Sequence, residues 1–125
     1  MDKIIVATKN APAAIGPYSQ GLIFENLVFT SGQLPLDPET GVMPEGIAAQ
    51  TRQSLQNVQS ILKEAGSSMD QVLKITVFLM NMEDFPIFNE IYATFFGGEP
   101  PCRSAIQVSC IPKNALIEIE AIAYR

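Results

Sequence analysis

Val72-Leu73-Lys74-Ile75-Thr76-Val77-Phe78-Leu79-Met80 is rich in β-favouring residues, and its two faces can be read by alternation. Leu73, Ile75, Val77 and Leu79 face one way; Val72, Lys74, Thr76, Phe78 and Met80 face the other. Both faces are largely apolar. A strand of that kind is covered on both sides, so the chain has to supply a layer for each. The flanking sequence supplies one of them. Ile47, Thr51, Leu55, Val58, Leu62 and Ala65 recur at helical spacing before the strand, with Gln50, Arg52, Gln53 and Gln56 on the other face and Gly66 as the stop. After the strand, Phe85, Phe88, Tyr92 and Phe95 stripe a second helix predicted from about Asp84 to Phe96. Pro86 fits only its first turn, and Gly97-Gly98 ends it.

Further outward, residues 3–8 read as a short strand, and Pro12, Gly16 and Pro17 break up the segment from Asn10 to Gln20. Gly21 to Phe24 and Leu27 to Thr30 are β-favouring runs joined at Glu25-Asn26, a hairpin spacing. Ser31 to Gly46 is a long loop rich in Pro and Gly, of a length that is often functional or lies across a neighbour. The chain closes with a strand around Arg103, a turn near Pro112-Lys113-Asn114, and a strand from Leu116 to Tyr124. The order β-β-β-α-β-α-β-β predicts one α+β domain over residues 1–125. It is a two-layer sandwich, a mixed sheet with both helices on one face, its strand–helix–strand crossovers right-handed.

Composition narrows the function. The chain has 125 residues, of which 47% are hydrophobic and 17% charged, low in charge for a small monomer. The net charge is −5 and Lys and Arg form no cluster, which argues against nucleic acid. No apolar run approaches membrane-spanning length. Cys102 and Cys110 would lie roughly 26 Å apart in one extended strand, at about 3.3 Å per residue. A disulfide needs less than about 7 Å, so free thiols and a cytoplasmic setting are expected. The chain has no histidine, which removes His-based triads, His metal ligands and an imidazole base. No metal or cofactor is expected.

Arg103 follows Pro100-Pro101-Cys102 and is one of three arginines, Arg52, Arg103 and Arg125. Its planar fork suits a carboxylate or phosphate held by two parallel hydrogen bonds; a solvated or ion-paired arginine at a sheet edge is the plainer alternative. Two helices cover one face of the sheet. Ile117, Ile119, Ala121 and Ala123 suit that face, while Leu116, Glu118, Glu120 and Ile122 point away from it. The last two strands are expected to form a hairpin, with Arg103, Glu118 and Glu120 together on this second face. A face half apolar and half charged is expected to be an oligomer interface.

At these residues the sequence resembles the RidA/YjgF family of imine deaminases. The resemblance runs nearly end to end. It is carried by Ala13-Ala14-Ile15-Gly16-Pro17-Tyr18-Ser19-Gln20-Gly21, Thr30-Ser31-Gly32-Gln33, Gln53-Ser54-Leu55-Gln56-Asn57-Val58, Pro101 to Ser104, and Ile111-Pro112-Lys113 through Glu118-Ile119-Glu120-Ala121. It implies a chorismate-mutase-like fold assembled as a homotrimer, with active sites between subunits. It implies hydrolysis of 2-iminobutanoate and 2-iminopropanoate to 2-keto acids and ammonia. By the resemblance, Arg103 grips the substrate carboxylate and Glu118 holds the attacking water, with Glu120 as second choice. Tyr18, Ser31, Gly32 and Asn89 match pocket positions. Ala105 stands where many relatives carry a cysteine, which removes a thiol from the pocket. A non-catalytic trimer that binds small carboxylates in a regulatory or chaperone role is the competing expectation.

Overall fold

The computed structural model describes residues 2–125. Its strands are β1 (Ile4–Val6), β2 (Gly21–Phe24), β3 (Leu27–Thr30), β4 (Val72–Leu79), β5 (Cys102–Gln107) and β6 (Ile117–Tyr124). The helices are α1 (Ile47–Glu64) and α2 (Phe85–Ala93), so the element order is the one the sequence predicts. The six strands form one sheet in the order β1-β2-β3-β6-β4-β5. β4 and β5 pair parallel and the other neighbours antiparallel, which makes the sheet mixed.

Both helices pack on one face. Leu55, Val58, Ile61 and Leu62 of α1 and Phe88 of α2 bury against Ile75, Val77 and Leu79 of β4 and Ile117, Ile119 and Ala121 of β6. Each of the Val, Leu, Ile and Phe side chains among them contributes about 1.5–3 kcal/mol on leaving water. Gly66 ends α1 as predicted: at φ 81° it lets Ser67 N–H reach Leu62 O at 2.8 Å and Gly66 N–H reach Lys63 O at 3.1 Å. The Glu25-Asn26 turn closes the β2–β3 hairpin across the Phe24–Leu27 pair, with Glu25 itself at φ 56°.

Four expectations change. First, β5 and β6 are not a hairpin: β4 lies between them. The segment from Val108 to Leu116 crosses the end of β4, where Val108 N–H bonds Leu79 O and Met80 N–H bonds Leu116 O. Pairing with β4 sets the parity of β5. Arg103 stands opposite Ile75 and Ala105 opposite Val77, so both face the helix layer. Glu118 and Glu120 stand opposite Phe78 and Thr76, on the uncovered face. Arg103 therefore does not share a face with the two carboxylates.

Second, the β4–β6 register shifts between Val72 and Lys74, so Val72 joins the buried set and Leu73 turns outward at 44% exposure. Third, Gln50 is buried rather than on the solvent side of α1. Its side chain accepts from Leu116 N–H and donates to Pro44 O. Fourth, the second helix is shorter than expected, preceded by a 3-10 turn at Met82–Asp84.

The uncovered face carries Ile5, Leu22, Phe29, Phe78, Ile106 and Ile122 around Lys74, Glu118 and Glu120. Among the described residues, no helix is long and apolar enough to cross a membrane. Cys102 and Cys110 are free and exposed.

Candidate active site

Two irregular segments meet the end of β6 and enclose a cavity of about 510 Å³. Buried amides hold both segments in place. Gln20 accepts from Thr8 N–H at 2.7 Å, and its Nε2 lies within hydrogen-bonding distance of the carbonyls of Thr8, Ala11 and Pro12. Asn57 of α1 donates to Leu34 O and Leu36 O, both at 3.0 Å, and accepts from Gln53 at 2.9 Å. Gln33 and Ile119 exchange backbone hydrogen bonds of 2.7 and 3.2 Å, which lays the start of the long loop alongside β6. None of these amides drew attention as site-building groups in the sequence. The signal available was an amide at a helical spacing otherwise occupied by core residues, as at Asn57.

Tyr18, Ser31, Gly32 and Glu118 converge on this cavity. Ser31 donates through Oγ to Ser19 O at 2.6 Å, and its N–H bonds Gln20 O at 2.8 Å. Tyr18 is half exposed, and its hydroxyl accepts weakly from Ile15 N–H at 3.4 Å. Glu118 projects from β6 against the backbone of Gly32. Burial raises its carboxyl pKa above the ordinary value, and the neighbouring Glu120 raises it further. Pro12, Ala13, Ile15, Leu34 and Leu36 give the cavity an apolar wall, and Lys113 is the one cation among its lining residues. Lys113 and Asn114 both hold left-handed backbone, φ 60° and 58°, in the turn that Ala115 N–H closes on Pro112 O.

Arg103 belongs to a second group. Its Nη1 donates to Asn89 Oδ1 at 2.7 Å, and its guanidinium carbon lies 5.2, 5.5 and 4.8 Å from the ring centres of Phe85, Phe88 and Tyr92. Pro100, Pro101, Tyr92 and Arg103 border a cleft of about 370 Å³ beside it. Ala105 packs half-buried against the core on the same face. The predicted site residues thus fall into two clusters, Tyr18–Ser31–Gly32–Glu118 and Arg103–Asn89–Ala105, on opposite faces of the sheet. Among the described residues, no group of three or more His, Cys, Asp or Glu side chains is placed to hold a metal.

A carboxylate accepting protons in a half-buried cavity is equipped to bind and deprotonate water. A guanidinium with free donors is equipped to bind a carboxylate.

A family model described as endoribonuclease L-PSP matches residues 8–125. The chain is 48% identical over 123 residues to the 2-iminobutanoate/2-iminopropanoate deaminase of Escherichia coli K12, covering 96% of each. It is 54% identical over 120 residues to a putative regulator, AldR, of Lactococcus lactis, covering 95% of each. A crystal structure of E. coli TdcF with bound serine superposes with a TM-score of 0.95 at 46% identity, covering 98% of each chain.

Proposed function

The chain belongs to the RidA/YjgF family, the one whose model is described as endoribonuclease L-PSP, and from that premise we propose that it hydrolyses reactive 2-imino acids. The substrates are 2-iminobutanoate and 2-iminopropanoate, and the products are the 2-keto acids and ammonia. The observation that carries this reading is the half-buried Glu118 carboxyl, set against the Gly32 backbone inside a cavity. The name of the E. coli relative supports the choice of substrate.

The chemistry requires few groups. Arg103 holds the substrate carboxylate through paired hydrogen bonds and so fixes the plane of the imine. Glu118 positions a water over that plane and takes a proton from it as its oxygen bonds to the imine carbon. The C=N bond becomes a C–N single bond in a carbinolamine. Glu118 passes the water proton to nitrogen and then moves the hydroxyl proton to nitrogen as the C–N bond breaks, so ammonia leaves and the hydroxyl oxygen becomes the keto oxygen. A carboxyl with a raised pKa is a stronger base than an exposed one, which suits it to both transfers. Tyr18, Ser31 and Gly32 border the space where the substrate sits. No cofactor enters this scheme.

Arg103 and Glu118 lie on opposite faces of one chain's sheet. A ligand a few ångströms across meets both only if they come from different chains. This supports a homo-oligomer with active sites between subunits, in which the apolar uncovered face is the interface; that it is a homotrimer rests on the family resemblance. The net charge of −5 supports a protein that engages neither RNA nor membranes, despite the family model's nuclease description, and the free Cys102 and Cys110 support a cytoplasmic setting.

The test is a coupled assay. A threonine dehydratase generates 2-iminobutanoate, semicarbazide traps it, and keto-acid release is followed with wild type and Arg103→Ala. Wild type should outcompete the trap and Arg103→Ala should not. A second reading, a trimer that binds small carboxylates without turnover, is favoured by the regulator name of one relative and the serine bound to another. Failure of wild type to outcompete the trap, together with measurable binding of 2-oxobutanoate, would select it.

A further inference from the structure

The first two turns of α2 face Arg103 with more groups than packing requires. Phe85, Phe88, Asn89 and Tyr92 follow one another at helical spacing, so they fall on one side of the helix. Three rings stand within 5.5 Å of the guanidinium carbon, and the Asn89 amide accepts from Nη1 at 2.7 Å. Stacked rings fix the position of a planar cation, and the single amide acceptor fixes its rotation.

The helix is itself tied to the strand that bears the arginine. Gln107, four residues after Arg103 and on the same face of β5, accepts from Met82 N–H at 2.8 Å just ahead of α2. Asn81 caps the same turn by accepting from Glu83 N–H. α2 and the 3-10 turn ahead of it therefore meet β5 at two points, one at each end of the strand.

The rings, not the phenol oxygen, carry this arrangement. Among the described residues, the Tyr92 hydroxyl is buried without a hydrogen-bond partner. Such a group costs stability unless its presence serves something else. The Tyr92 ring, by contrast, makes the shortest of the three approaches to Arg103, 4.8 Å.

We infer that Phe85, Phe88, Asn89 and Tyr92 are positioning residues that hold the Arg103 guanidinium in its carboxylate-binding orientation before the ligand arrives. The inference rests on the reading that Arg103 takes the substrate carboxylate. It gives Asn89 a role through Arg103 rather than on the substrate itself, and the Tyr92 hydroxyl no role.

The probe is 2-oxobutanoate, the stable keto acid of the proposed reaction. Its binding is measured by calorimetry on the intact oligomer, beside KM and kcat for the imine and a thermal melt. Phe85 is only partly buried, so Phe85→Leu is expected to fold. It should weaken 2-oxobutanoate binding and raise KM by about two- to five-fold, the scale of one cation–ring contact, with kcat within about two-fold. Asn89→Ala should act in the same direction.

Unchanged binding and KM in a well-folded Phe85→Leu would overturn the inference. So would an Asn89→Ala that binds 2-oxobutanoate like wild type, since the amide would then not hold the guanidinium. The deaminase reading fails by a different signature, an Arg103→Ala that still hydrolyses the imine, so the two failures are separable.

Discussion

A methyl group added to Gly32 would stand 2.8 Å from Oε1 and 2.9 Å from the carboxyl carbon of Glu118. Non-bonded carbon and oxygen do not approach so closely, so the bare Cα of Gly32 is what lets the carboxylate lie against the loop. The backbone of Gly32 does not itself demand glycine, because its φ lies outside the left-handed range. The side chain opposite does.

Gly32→Ala should therefore separate activity from stability. The added methyl meets the end of a flexible side chain, which swings away at a cost of under about 1 kcal/mol. The displaced carboxylate no longer holds water at the reactive distance, so imine hydrolysis should fall at least about ten-fold with a nearly unchanged melting temperature. Full activity in Gly32→Ala would mean that the Glu118 position seen here is not the working one.

Glu118→Gln should reveal the raised carboxyl as a pH-dependent stability difference. Burial, and secondarily Glu120, make the folded protein hold this proton more tightly than the unfolded chain does. The stability the protonated form contributes is complete below the unfolded pKa and is lost as pH rises through the folded one. At neutral pH Glu118→Gln should be more stable than wild type by on the order of 1 kcal/mol or less, and near pH 4 the gap should close. Urea unfolding at the two pH values measures it. In the same assay series, Glu120→Gln should shift the acid limb of the activity profile to lower pH, because one of the two causes is removed.

Asn57→Ala should weaken the fold and the site together. The buried amide serves two loop carbonyls, Leu34 O and Leu36 O, and truncation leaves both without that donor. About 1–3 kcal/mol per unsatisfied group makes a loss of several degrees in melting temperature the expected result. The loop these carbonyls anchor also carries Gly32, so activity should fall beyond what the melt alone explains.

The same residues mark where sequence reasoning reached and where it stopped. Alternation along Ile117, Ile119, Ala121 and Ala123 placed the core face of β6 correctly, because a period of two leaves one choice of face once apolar residues are buried. Arg103 had no such constraint. Cys102, Arg103 and Ser104 are all exposed, so apolar patterning was silent, and its face depended on which strand β5 pairs with. Adjacent strands in sequence usually pair, but here β6 crosses to the far side of β4, and one neighbour's difference reversed the arginine. Val72 and Leu73 exchanged faces for a comparable reason, since a bulge inserts a residue without leaving a compositional trace. Gln50 reads as solvated and Asn57 carries no apolar signal, because a buried amide looks like a solvated one until its backbone partners are known.

The opposite faces of Arg103 and Glu118 yield the sharpest prediction about assembly. If one chain supplied both residues to a site, Arg103→Ala and Glu118→Gln oligomers would stay inactive however they were mixed, since every site would carry one defect. If each site takes Arg103 from one chain and Glu118 from its neighbour, mixing creates intact sites. These form wherever the Arg103→Ala chain presents its unaltered Glu118 to a chain that bears Glu118→Gln and an unaltered Arg103. Random mixing in equal amounts makes about a quarter of the sites intact. Co-expression of the two variants with different tags, isolation of trimers carrying both, and the coupled imine assay should return about a third of wild-type activity, because one of the three sites in every mixed trimer is intact. Recovery to that level requires the shared site, and none at all would return both residues to a single chain.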